Sequence, residues 1–114
     1  MSSVKNLMIH GVEEHITQDY IASVFWKNKL AKVSSVTLMP YLKNNKIYQL
    51  AYITVGEWCD NESTYNFIKR LKNDIVEARV IYEDDNWWSV ELNNHNNGSF
   101  VGDYTRLFDL QSYM

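Results

Sequence analysis

The chain has 114 residues, 46% of them hydrophobic, which suits one domain with a real core. A formal charge of -3 argues against a generic polyanion binder, because such proteins carry a clear basic excess. The single cysteine, Cys59, excludes an intramolecular disulfide, and no apolar run reaches membrane-spanning length.

In chain order, Met1 to Asn6 lacks the apolar run of a secretory signal, so an intracellular, soluble protein is expected. Leu7-Met8-Ile9-His10 alternates as a short strand, with Leu7 and Ile9 on one face and Met8 and His10 on the other. Gly11 breaks it, and Val12 to His15 reads as a loop. Thr17 is a candidate N-cap for a helix that carries Ile21, Val24 and Phe25 as a core stripe. Lys27, Lys29 and Lys32 lie near its end, where cations suit the helix dipole.

Val33 to Tyr41 is a second strand. Val36 and Leu38 share one face; Thr37, Met39 and Tyr41 share the other. Pro40 suits an edge strand or a strand end. Leu42 to Lys46 forms the turn into Ile47 to Val55, a third strand whose Ala51, Ile53 and Val55 point inward. Its Tyr48, Leu50, Tyr52 and Thr54 point to the opposite face. A second helix runs from about Asn61 to Lys72, with Asp60 or Asn61 as its candidate cap and Thr64, Phe67, Ile68 and Leu71 at helical spacing. Ala78 to Glu83 is the fourth strand, with Val80 inward and Arg79 and Ile81 on the open face. Trp58 and Trp26 are expected in the core or at its edge.

This order predicts an α+β domain of ferredoxin-like βαββαβ form, a four-stranded antiparallel sheet with two helices on one face. It spans residues 5–93. Residues 94–114 read as a polar linker, rich in Asn, and a short docking tail that regains apolar residues such as Phe108.

The third strand, Tyr48-Gln49-Leu50-Ala51-Tyr52-Ile53-Thr54-Val55, with Leu7-Met8-Ile9-His10-Gly11-Val12 on the first, resembles the paired motifs of the RNA-recognition motif (RRM). Tyr52 keeps one stacking ring of that family; Leu50 and Met8 stand where the other two are usual. Gly56-Glu57-Trp58 and the run Val80-Ile81-Tyr82-Glu83-Asp84-Asp85-Asn86-Trp87-Trp88 further resemble small RRM-like proteins of giant nucleocytoplasmic DNA viruses. A Pro is common there at Asn86, and a basic residue near His10. That resemblance implies a viral protein acting in the host cytoplasm or viral factory, or packaged in the virion, and it implies no specific reaction.

Two binding readings follow. Single-stranded RNA would stack on Tyr52, with Met8, His10, Leu50, Arg79 and Ile81 around it and Lys43 and Lys46 on phosphate. A protein partner or a homodimer would use the same apolar face, with Met39, Trp87, Trp88 and Phe108 as contact candidates. Two adjacent tryptophans on an extended segment point to opposite sides, so one of them packs inward. The acids of Glu83-Asp84-Asp85 would repel phosphate.

Catalysis has little support. His10, His15 and His95 lack metal-ligand spacing, Cys59 has no sequence-local activating partner, and there is no Gly-rich phosphate loop. A non-enzyme is expected, with no metal, no cofactor, no small-molecule substrate and no membrane contact.

Overall fold

Alternation and capping explain most of the elements in the computed structural model, which describes residues 4–73 and 75–93. The strands are β1 (Asn6–Glu13), β2 (Ala31–Lys43), β3 (Lys46–Trp58), β4 (Ala78–Glu83) and β5 (Asn86–Leu92). The helices are α1 (Gln18–Lys27) and α2 (Glu62–Leu71). Thr17 caps α1 by accepting the Tyr20 amide at 3.1 Å, and Asn61 caps α2 by accepting the Thr64 amide at 2.8 Å. Each cap satisfies a backbone donor that the first helical turn leaves without an internal acceptor.

The sheet has five antiparallel strands in the order β2-β3-β1-β5-β4. The expected count of four is therefore corrected. Ala78 to Glu83 does not lie beside β1; it forms the sheet edge, and β5 occupies the place next to β1. The extra strand arises from a tight turn in which Asp84 adopts φ 37 and sends the chain back as Asn86–Leu92. Trp87 and Trp88 thus belong to a paired strand, with Val80 opposite Trp88 and Ile81 opposite Trp87.

β1 also runs further than expected. Its pairing with β3 slips by one residue between Ile9 and Val12, where Gly11 takes φ 70. This bulge lets Ile9 and Val12, three residues apart, both face inward. The strand then continues to Glu13 instead of ending at Gly11.

One core lies between the two helices and one sheet face. Leu7, Ile9, Ala51, Ile53, Val55, Val80 and Val90 from the strands meet Ile21, Val24 and Phe25 of α1 and Phe67, Ile68 and Leu71 of α2. Phe25 and Phe67 pack edge to face at 6.4 Å between centroids, joining the helices. Trp58 is buried there as expected, its indole N–H donating to the Val4 carbonyl at 2.7 Å. Trp26 differs: it is exposed on α1 because Ile21, Val24 and Phe25 already fill the inward stripe.

Gln49 is the buried polar exception on this face. Its Nε2 donates toward the carbonyls of Glu13, Glu14 and Ile16 at 2.9, 3.2 and 2.9 Å. That side chain ties the β1–α1 connection to the middle of the sheet, and its burial is tolerated because its donors are satisfied.

Candidate binding face

The sheet face away from the helices carries the residues that sequence reasoning selected. Met8, Tyr41 and Leu50 form a second buried cluster there, with Met39, Tyr48 and Tyr52 packed around it. Leu50 is 3% exposed and Met8 7%, so neither offers the open surface that a stacking base needs. Tyr52 is half-buried at the rim of this cluster.

Tyr41 organises this half of the face. Rooted on the outer strand β2, it reaches over β3 to β1, where its hydroxyl accepts the Gly11 amide at 2.9 Å. Its ring also meets Tyr48, with centroids 6.0 Å apart. The bulge at Gly11 turns an amide out of the ladder, and Tyr41 satisfies it. Sequence reasoning placed Tyr41 on this face without marking it as a site residue, because no local pattern signals a contact with a strand two places away.

The β4–β5 half is different in character. Ile81 and Trp87 are exposed, at 54% and 42%, and they are direct cross-strand partners. The Arg79 guanidinium lies over the Trp87 indole, 4.0 Å from its centroid, and also pairs with Glu77 at 3.2 Å. His10 contacts Glu91 at 2.6 Å between β1 and β5. The structure therefore gathers His10, Arg79, Ile81 and Trp87 on one side, away from Lys43 and Lys46 at the end of the β2–β3 hairpin. Trp88, expected as a contact candidate, is instead a core residue at 4% exposure. Phe108 lies outside the described residues.

Trp88 is enclosed by tyrosines. Tyr82 stacks on it at 4.1 Å with planes 13° apart, and Tyr20 meets it edge-on at 6.4 Å. The Tyr82 hydroxyl donates to the Glu13 carboxylate at 2.8 Å. Burial, then that hydrogen bond and the carboxylate's charge, push the Tyr82 phenol up to about 12.

No family model matches this chain. The comparisons with curated proteins and with solved structures found no match either.

The two hairpin ends have opposite charge. Asn44 and Asn45, with φ 52 and 64, make a two-residue turn of the primed type that places Lys43 directly opposite Lys46. Behind these lysines, Leu42 pairs with Ile47, and both are partly exposed, at 37% and 39%. At the other hairpin Glu83, Asp84 and Asp85 cluster at the turn, behind which lie Ile81 and Trp87. Among the described residues no ion pair engages Lys43, Lys46, Glu83, Asp84 or Asp85.

Among the described residues there is no group of three or more His, Cys, Asp or Glu that could hold a metal ion. No helix among them is long and apolar enough to cross a membrane.

Proposed function

We propose that this chain is a non-catalytic binding module on an RRM-like, ferredoxin-like frame, and that it contacts protein through the β4–β5 half of its helix-free face. The strand order β2-β3-β1-β5, with both helices packed against the opposite face, supports the frame, and β4 is then an added edge strand. The viral affiliation rests on Gly56-Glu57-Trp58 and on the run from Val80 to Trp88. A virion-structural role is one form that such a protein contact would take.

The observation that carries the protein reading is Trp87 with Ile81, an exposed apolar pair beside the turn acids Glu83, Asp84 and Asp85, which no ion pair among the described residues engages. A tryptophan held by a stacked arginine is a rigid anchor of the kind that dominates protein interfaces. The surrounding acids repel phosphate and favour a basic partner. Single-stranded RNA is the second reading, favoured by one observation: half-buried Tyr48 and Tyr52 lie on β3, the strand that leads away from the unpaired Lys43 and Lys46.

One titration separates the two. A synthetic Lys/Leu peptide and a short uridine-rich RNA are each added at low salt while tryptophan emission is followed. The protein reading expects peptide binding that Trp87→Ala abolishes. RNA binding that Tyr52→Ala abolishes, with no response to the peptide, overturns it.

A further inference from the structure

We infer that the partner at the Trp87 patch is a second copy of this chain, which inserts its own β2–β3 hairpin. The inference rests on the protein-contact reading above and adds the occupant. The two hairpins are built alike and charged oppositely. In one, the exposed pair Leu42–Ile47 stands behind Lys43 and Lys46; in the other, the exposed pair Ile81–Trp87 stands behind Glu83, Asp84 and Asp85. Two lysines opposed across an antiparallel pair repel each other, and so do three acids at one turn. Bringing the two ends together relieves both repulsions and covers both apolar pairs.

The topology permits this contact to close. Every neighbouring pair of strands is antiparallel, so β2 and β4 run in the same direction and their turns project from the same end of the sheet, at opposite edges. A two-fold axis normal to the sheet at that end sets each basic hairpin against the partner's acidic one. Two equivalent contacts then form, and the assembly stops at a dimer instead of growing into a fibre. Leu42 and Ile47 share the face of Leu38 and Ala51, the helix side, whereas Ile81 and Trp87 lie on the helix-free side. One hairpin can therefore lap over the other with apolar pairs in contact.

Competing occupants fit less well. Residues 94–114 carry Arg106 against Asp103 and Asp109, a net charge of -1 that mismatches an acidic patch. Strand addition along β4 is hindered, because the Ile81 carbonyl accepts from Asn28 Nδ2 at 2.9 Å and the Tyr82 carbonyl from the Tyr20 hydroxyl at 2.9 Å.

The test is a charge swap read by light scattering on the full chain. The wild type should show twice the chain mass at low salt and should dissociate toward monomer at high salt. A Lys43→Glu, Lys46→Glu variant and an Asp84→Lys, Asp85→Lys variant should each associate at least about tenfold more weakly. Mixed one to one, they should recover the dimer, since both contacts are again between opposite charges, and that recovery also shows that both variants fold. Trp87→Ala, which leaves every charge of the hairpins in place, should weaken the wild-type dimer by a similar factor.

A wild type that stays monomeric at low salt overturns the inference, as does a salt-insensitive dimer or a mixture that fails to recover. If the chain is monomeric yet the Lys/Leu peptide still binds at Trp87, the protein reading stands and only the second-copy occupant falls.

Discussion

Tyr82 on the sheet-edge strand and Glu13 at the end of β1 are joined by a 2.8 Å hydrogen bond that passes over β5 and the face of Trp88. The bond closes a contact between residues 69 positions apart and ties the added strand to the centre of the sheet. Tyr82→Phe should cost about 1 kcal/mol by urea denaturation near neutral pH, the net value of one such bond at a partly open site.

The same phenol makes a pH prediction. Its folded-state pKa is raised to about 12, whereas an unfolded tyrosine titrates near about 10. The fold favours the protonated form, so this contribution is complete below about 10 and is lost as the pH rises through about 12. Denaturation midpoints taken across that window should fall more steeply for the wild type than for Tyr82→Phe. Parallel declines would show that the phenol does not report its burial.

On the opposite face, Tyr41 and Gly11 form a comparable strap. Gly11→Ala should destabilise by about 1–2 kcal/mol, because φ 70 is left-handed backbone that a Cβ disfavours. The space itself is adequate, with the Tyr41 hydroxyl 3.9 Å from the added carbon. Tyr41→Phe should cost about 1 kcal/mol by removing the acceptor of the Gly11 amide. A Gly11→Ala variant as stable as wild type in guanidinium would argue against the bulge.

Adjacent tryptophans should behave unlike each other. Trp88→Ala removes a core residue and should cost about 3–5 kcal/mol, while Trp87→Ala should cost less than about 1 kcal/mol in the monomer. Equal costs in chemical denaturation would contradict the inward and outward assignment.

Gln49→Leu keeps bulk but removes the donor shared by three carbonyls. The expected loss is about 2–3 kcal/mol, since those carbonyls lose a buried partner. Hydrogen exchange should show faster opening of the β1–α1 connection than of β3, and unchanged exchange there would sink the account.

The strand faces were legible because alternation has a fixed period. Ala51, Ile53 and Val55, Val36 with Leu38, and Val80 all face the main core as that period requires. The cap at Thr17 was legible for a similar local reason, and the second was narrowed to Asp60 or Asn61, of which the structure uses Asn61. The β4–β5 hairpin was not, because Asp84-Asp85 lacks the Asn-Gly or Asp-Gly signature and the left-handed φ falls on Asp84. Trp26 was misplaced since helical position, and not hydrophobicity alone, decides which aromatic faces inward.

The candidate face divides along the same line. Which side chains share it follows from residue parity and could be read directly: Met8, Met39, Leu50, Tyr52, Arg79 and Ile81. Which of them are open could not be read, because Tyr41 closes over one half through a bond to a strand two places away.

By itself the amino-acid sequence determined the α+β class, the cap at Thr17 and the inward residues named for the four expected strands, all of which depend on neighbours a few positions apart. Only the tertiary structure decided that the sheet has five strands, that Met8 and Leu50 are buried while Trp87 is exposed, and that two oppositely charged hairpins share one end of the sheet. Those outcomes depend on strand pairing and on side chains that cross between strands, interactions that join residues as far apart as Glu13 and Tyr82 and leave no local periodicity to read.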